Sequence, residues 1–103
     1  MSFTQISQGH WDVDARMEVG ELSERIGMDV ILPETENSID TLGGIMFALA
    51  GRVPLRGEII RHPVGLDLEV LDADSRRIRR VRLTADKGAK RPIISEGDEK
   101  DGE

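Results

Sequence analysis

The first apolar residues of the chain alternate with polar ones. Phe3, Gln5 and Ser7 interleave with Thr4, Ile6 and Gln8, and after a break at Gly9-His10 the set Trp11, Val13, Ala15 and Met17 faces away from Asp12, Asp14 and Arg16. Two short period-2 runs about a glycine predict a β-hairpin whose second strand packs one face. The period then changes to that of a helix: Val19, Leu22 and Ile26 oppose Glu18, Glu21, Glu24 and Arg25, and Gly27 suits the left-handed stop position. Met28 to Asn37 reads as a connector in which Val30, Ile31 and Leu32 make a brief buried segment, Pro33 ends it, and Glu34 and Glu36 face water.

A second helix is the best specified element. Leu42, Ile45, Met46 and Leu49 recur at i, i+3, i+4 and i+7, Ser38 or Asp40 can cap it, and Gly51 can end it. Gly43 and Gly44 in its first turn cost roughly 1 kcal/mol each against Ala, so another backbone or a ligand is expected to approach there. Beyond Val53-Pro54, Glu58 to Arg61 and Leu66 to Leu71 predict a second hairpin that turns through His62-Pro63-Val64-Gly65. Asp72 to Ser75 supplies another turn and Arg76 to Leu83 a last strand. In that strand Val81 and Leu83 share a face while Ile78 has the opposite parity, which calls for a bulge near Arg79-Arg80 or for Ile78 packing on the other side. The order ββααβββ, without βαβ alternation, predicts an α+β fold: an antiparallel sheet of about five strands with two helices on one face.

Size and composition narrow the possibilities. At 103 residues with 38% hydrophobic and 3% aromatic content, the chain has room for one small domain with a marginal core. Zero cysteines exclude a disulfide scaffold, a thiolate zinc site and a Cys nucleophile, and two histidines are too few for a histidine metal cage. No apolar run approaches the roughly 20 residues of a membrane helix and no leader is evident, so a soluble domain is expected. The net charge of −6 is unevenly spread: residues 1–40 hold nine acids and two bases, and residues 41–84 hold eight arginines and five acids. Residues 85–103 carry all the lysines and end in Glu96, Asp98, Glu99, Asp101 and Glu103, a composition that predicts a disordered acidic tail after a folded body at 1–84.

Several residues are candidates for chemistry. Asp12 with Asp14, and Asp72 with Asp74, could each offer two oxygens to a divalent cation, but neither sits in a calcium-loop pattern, and a solvated strand face or turn accounts for both. His10 and His62 fall at predicted turns, where surface positions are expected. The cluster Arg76, Arg77, Arg79, Arg80 and Arg82 could hold phosphates, yet the acidic balance and single Trp argue against nucleic acid and for pairing with the acidic Asp12 to Glu36 region. Thr41, Gly43 and Gly44 read either as a helix start packed tightly on a strand or as an anion site at a helix N-terminus. No Ser or Thr has a His and Asp pattern beside it, so acyl-transfer catalysis has no support.

The ordered set of segments resembles a known family. Trp11-Asp12-Val13-Asp14-Ala15-Arg16-Met17, Asp40-Thr41-Leu42-Gly43-Gly44, Leu49-Ala50-Gly51-Arg52-Val53-Pro54, Gly57-Glu58, Leu68-Glu69-Val70-Leu71 and Arg76 to Leu83 are similar, in sequence and order, to the CorC/HlyC transporter-associated domain, with Ala15 where that family often has Gly. The resemblance implies the C-terminal piece of a longer protein of the hemolysin-like or magnesium and cobalt efflux type, carrying a pair of CBS domains and often a membrane-spanning domain. It implies a non-catalytic accessory or regulatory role on the cytoplasmic side of a membrane-associated parent, with the parent's domains or a second copy (a homodimer) as partners. The family's fold is also similar to a subdomain of flavoenzymes of the vanillyl-alcohol-oxidase type. That likeness raises the alternative of an FAD or adenine-nucleotide binding module, with Thr41, Gly43, Gly44 and Arg79 as the candidate contacts. Gly43-Gly44 is not a G-x-G-x-x-G turn after a strand, so the pyrophosphate chemistry of those enzymes is not carried over.

Overall fold

Apolar alternation in four strands builds one inner sheet face. The computed structural model describes residues 2–32 and 39–86. It contains β1 (Phe3–Ser7), β2 (His10–Asp14), α1 (Val19–Ile26), α2 (Leu42–Ala50), β3 (Ile59–His62), β4 (Leu66–Ala73) and β5 (Ile78–Ala85). The strands form one antiparallel sheet in the order β1-β2-β5-β4-β3. Cross-strand registers line up the inner rows Gln5–Trp11–Leu83–Leu68–Ile60 and Phe3–Val13–Val81–Val70. Both helices cover this face, since Leu22 and Ile26 of α1 and Leu42, Ile45 and Met46 of α2 share one core with Trp11, Val13, Leu68, Val70, Val81 and Leu83. The expected α+β architecture and element order are therefore present.

Helix ends follow the sequence closely at the C-terminal side and depart from it at the start of α2. Gly27 and Gly51 close α1 and α2 with φ of 74° and 76°, the left-handed region glycine enters without a Cβ penalty. The cap of α2 is Thr41, not Asp40: its backbone is extended, and its Oγ1 accepts from the Gly44 N–H at 3.1 Å. Asp40 precedes the helix start: its backbone carbonyl accepts from Val19 N–H at 2.7 Å, beside the antiparallel bridge of residues 18 and 41. Ser38, Pro33, Glu34 and Glu36 lie outside the described residues.

The β4–β5 pair shows how Ile78 joins the core. Asp72 and Ala73 belong to β4, and the turn sits at Asp74 to Arg77, two residues later than the sequence suggests. Asp74 makes that turn, its Oδ1 accepting the N–H groups of Arg76 at 2.8 Å and Arg77 at 3.0 Å. Register then shifts twice: Val70 pairs Val81, Asp72 pairs Arg80 and Ala73 pairs Ile78, which leaves Leu71 and Arg79 each as an extra residue. The irregularity at Arg79 restores Ile78 to the inner face, where it is buried. β5 continues through Ala85, and the Asp86 N–H donates to Gly65 O at 2.8 Å; the rest of the acidic tail, 87–103, lies outside the described residues.

His62 is a correction to the surface position expected of it. It ends β3 and is 2% exposed. The Val64 N–H donates to its Nδ1 at 3.0 Å, so Nε2 carries the proton and donates to Val30 O at 2.9 Å. A turn-like sequence context concealed an imidazole that ties the buried connector residue Val30 to the β3–β4 hairpin.

Candidate functional site

Two surfaces could engage a partner, one on the sheet face that the helices leave open and one beside α2. The outer face of the sheet is covered by neither helix, and the registers place its polar residues in rows: Thr4–Asp12–Arg82–Glu69–Ile59, Asp14–Arg80–Asp72 and His10–Thr84–Asp67–Arg61. Acid and base alternate across the central strands. Arg82 donates to Asp12 through Nε at 2.8 Å and Nη2 at 3.1 Å, the pairing of the last strand with the acidic N-terminal region that the sequence leads one to expect. Arg61 bridges Asp67, at 2.9 Å, and Asp86, while Ile59 at the far edge is 57% exposed. Arg82 holds the Asp12 carboxyl below its ordinary range, and Arg61 does the same for Asp86.

The second surface is a cleft of about 300 Å³ at the start of α2, lined by Ala15, Thr41, Gly43, Gly44, Phe47, Val53 and Ile78 with Arg16, Arg76 and Arg77. Three of the four sequence candidates, Thr41, Gly43 and Gly44, therefore meet in one place. Arg79 does not join them: its guanidinium donates to Asp74 at 2.9 Å, and it lines a neighbouring polar hollow with Asp14, Asp72, Arg77 and Arg80. Arg76, Arg77 and Arg16 take its place at the cleft. The only signal for this in the sequence is that Arg76 and Arg77 precede the strand, on the turn that overhangs α2.

The glycines are explained by packing. The Leu42 N–H donates to Met17 O at 3.0 Å, Gly43 to Ala15 O at 2.8 Å, Gly44 to Thr41 Oγ1 and Ile45 to Thr41 O at 3.0 Å. All the leading N–H groups of α2 are thus satisfied by the chain, which leaves none to grip an anion in the manner of a phosphate-binding helix start. A Cβ on Gly43 would lie 3.4 Å from the Cβ and carbonyl of Ala15, and one on Gly44 would lie 2.8 Å from Ile39 Cγ2. The tight position is Gly44, where a Cβ would press on the Ile39 side chain, whereas one on Gly43 would meet Ala15 at ordinary contact distance.

Three of the four candidate cation ligands, Asp12, Asp14 and Asp74, are engaged with arginines of the chain itself. Asp14 receives Arg16 Nε at 3.3 Å and Nη2 at 3.2 Å together with its backbone N–H at 2.8 Å, and Arg16 draws its carboxyl below the usual range. Asp74 serves the turn and Arg79. Among the described residues no three acidic or histidine side chains converge as a metal site, and no helix is long and apolar enough to cross a membrane.

Known proteins place this architecture. The chain is 33% identical over 78 residues to a Rickettsia bellii protein named "Possible hemolysin C", covering 76% of this chain and 26% of that one. It is 30% identical over 96 residues to the magnesium and cobalt efflux protein CorC of Escherichia coli K12, covering 93% of this chain and 31% of that one. It thus spans about a quarter to a third of the length of these relatives. A crystal structure of a Mg2+ and Co2+ transporter (CorC) associated region from Neisseria meningitidis superposes with a TM-score of 0.72 at 26% identity, over 82% of this chain and 99% of that one. With the profile of the transporter associated domain matched across residues 4–87, the chain belongs to the CorC/HlyC transporter associated domain family.

Proposed function

We propose that this domain is a non-catalytic accessory module of a longer, membrane-associated ion-transport or hemolysin-like protein, regulating it from the cytoplasmic side through contacts with the CBS domains, the membrane-spanning part or a second copy of itself. The outer sheet face is the observation that carries this reading. An antiparallel sheet normally solvates one face, but this one sets acid against base on neighbouring strands and ends in the exposed Ile59, a pattern that a complementary surface can match row by row. The efflux function in the names of relatives supports the parent's class, and the short span of this chain within them supports a part that works on its neighbours.

The test is made in the full-length parent protein. Arg80 is exposed and makes no side-chain ion pair among the described residues, and the registers set it between Asp14 and Asp72, so the neutral Arg80→Gln, which avoids placing like charges opposite one another, should leave folding nearly unchanged, within about 0.5 kcal/mol as for ordinary surface substitutions. Removing a charge from the middle row should nonetheless alter ion efflux or its response to regulators. Unchanged efflux and regulation both for this variant and on deletion of residues 10–83 would remove the proposal.

A further inference from the structure

The cleft beside α2 joins an apolar floor to a cationic rim. Phe47 on its wall is 51% exposed. Of the three arginines around it, Arg16 has a carboxylate partner in Asp14, whereas Arg76 and Arg77 give only their backbone N–H groups to Asp74 and make no side-chain ion pair among the described residues. In a chain of net charge −6 this is a local inversion of sign. An occupant that matches needs a short apolar stretch followed within a few residues by several carboxylates.

One segment of the chain beyond the described residues has that composition: Pro92-Ile93-Ile94-Ser95-Glu96-Gly97-Asp98-Glu99. We propose that residues 92–99 of the same chain seat in this cleft, Ile93 and Ile94 against Phe47, Val53 and Ile78, and Glu96, Asp98 and Glu99 at Arg76 and Arg77. Reach favours this segment and sets its form. Asp86 is tied down at the end of β5 remote from the cleft, by its N–H to Gly65 O and its carboxylate to Arg61. Ile78, at the cleft, and Ala85 are the two ends of β5 and lie about 23 Å apart at strand rise. The eight residues from Asp86 to Ile94 span about 26–29 Å when extended, so the segment arrives with little slack and its carboxylates fall just past Ile78, where the Arg76-Arg77 turn begins. Attraction between the Arg76 and Arg77 guanidinium groups and these carboxylates adds to burial of two isoleucines, and neither alone accounts for the pairing of floor and rim.

The absence of cysteine allows a direct test on the full chain. Ser95→Cys carries one nitroxide label, and amide resonances are compared between the oxidised and reduced label. Seating predicts that the Gly43, Gly44 and Arg77 amides lose most of their intensity. That loss should disappear with the pair Arg76→Glu and Arg77→Glu, and with deletion of residues 88–90, which shortens the reach by about 10 Å. Emission of the buried Trp11 reports that these variants remain folded. Intensity loss confined to Gly9 and Gly65, which adjoin Ala85 and Asp86, would overturn the proposal, as would loss at Gly43 that survives both changes. Mixing isotope-labelled chains that lack the nitroxide with spin-labelled chains that lack the isotope separates the sources: broadening in the mixture would make a second copy the occupant and also overturn it.

Discussion

His62 makes folding stability fall as the solution is acidified toward pH 5. Its ring is neutral in the fold because Nδ1 already accepts from Val64 N–H and Nε2–H already donates to Val30 O. A second proton would have to sit on Nδ1 facing the Val64 N–H, breaking that bond and charging a site that is 2% exposed. Burial accordingly pushes the imidazole below its ordinary value of 6.5, with the Val30 carbonyl and nearby Asp29 offsetting only part of the shift. Since the unfolded chain takes up the proton first, the contribution of His62 is complete above about pH 6.5 and is lost as pH falls from there through the folded value, at up to about 1.4 kcal/mol per pH unit. The carboxylates held low by arginines lose their contributions only below their unfolded values near 4, so the window from pH 7.5 to 5 isolates histidine. Replacing the ring by His62→Leu orphans the carbonyl of the fully buried Val30 and should cost about 1–3 kcal/mol at pH 7.5, while flattening the dependence on pH. Urea unfolding followed by Trp11 emission measures both effects. A wild-type midpoint that stays level from pH 7.5 to 5, or a His62→Leu slope equal to that of wild type, would refute the reasoning.

Further outcomes follow from the start of α2 and from the outer face. Gly43→Ala meets Ala15 at ordinary contact distance and should be neutral or gain up to about 1 kcal/mol from helix propensity, whereas Gly44→Ala drives a Cβ into Ile39 and should cost about 1–3 kcal/mol; thermal unfolding of the pair decides. Thr41→Ala removes the acceptor of Gly44 N–H and should cost about 1 kcal/mol, most of which Thr41→Ser restores in the same assay. A double-mutant cycle on Asp12 and Arg82 should give a coupling of about 0.2–1 kcal/mol at pH 7 that shrinks in high salt. Because Arg82 depresses Asp12, that coupling is present above the unfolded carboxylate value and is lost as pH falls through the folded one, which unfolding at pH 3 checks.

What the sequence discloses and what it hides have separable physical causes. Period-2 alternation fixed the faces of β2 and β4 because a one-residue slip would have inverted Trp11, Val13, Leu66, Leu68 and Val70 together. Gly27 and Gly51 marked helix ends because their left-handed φ is costly for other residues. The cap of α2 is Thr41 and not the expected Ser38 or Asp40, since all three carry a suitable oxygen and only the long-range bridge between residues 18 and 41 marks where the helix begins. His62 was misread for a similar reason: proline and glycine around it announce a turn, but its partner Val30 is 32 residues away and no local pattern points to it. At the candidate site, Thr41, Gly43 and Gly44 are legible as a group, while the placing of Arg76 and Arg77 at the cleft and of Arg79 beside Asp74 depends on the β4–β5 turn and register, which no local pattern discloses.

The two surfaces differ in what they can recognise, and the difference lies in how charge is arranged. On the outer face acid and base interdigitate at strand spacing, about 5 Å, well inside the roughly 10 Å over which 0.1 M salt screens. Fields from Asp12, Arg82 and Glu69 therefore cancel at a distance, and this face can discriminate only at contact, by matching rows and by what it does with Ile59. A partner found this way must already be held nearby, which suits a domain tethered to the protein it regulates better than one that captures a diffusing ligand. At the cleft the leading N–H groups of α2 are consumed by Met17, Ala15 and Thr41, so the charge that remains available there belongs to side chains on the β4–β5 turn. Arg76 and Arg77 share one sign and lack partners among the described residues, and so they attract from farther away. The cleft is thus suited to an acidic partner drawn in from a distance, and the sheet face to a surface already in place.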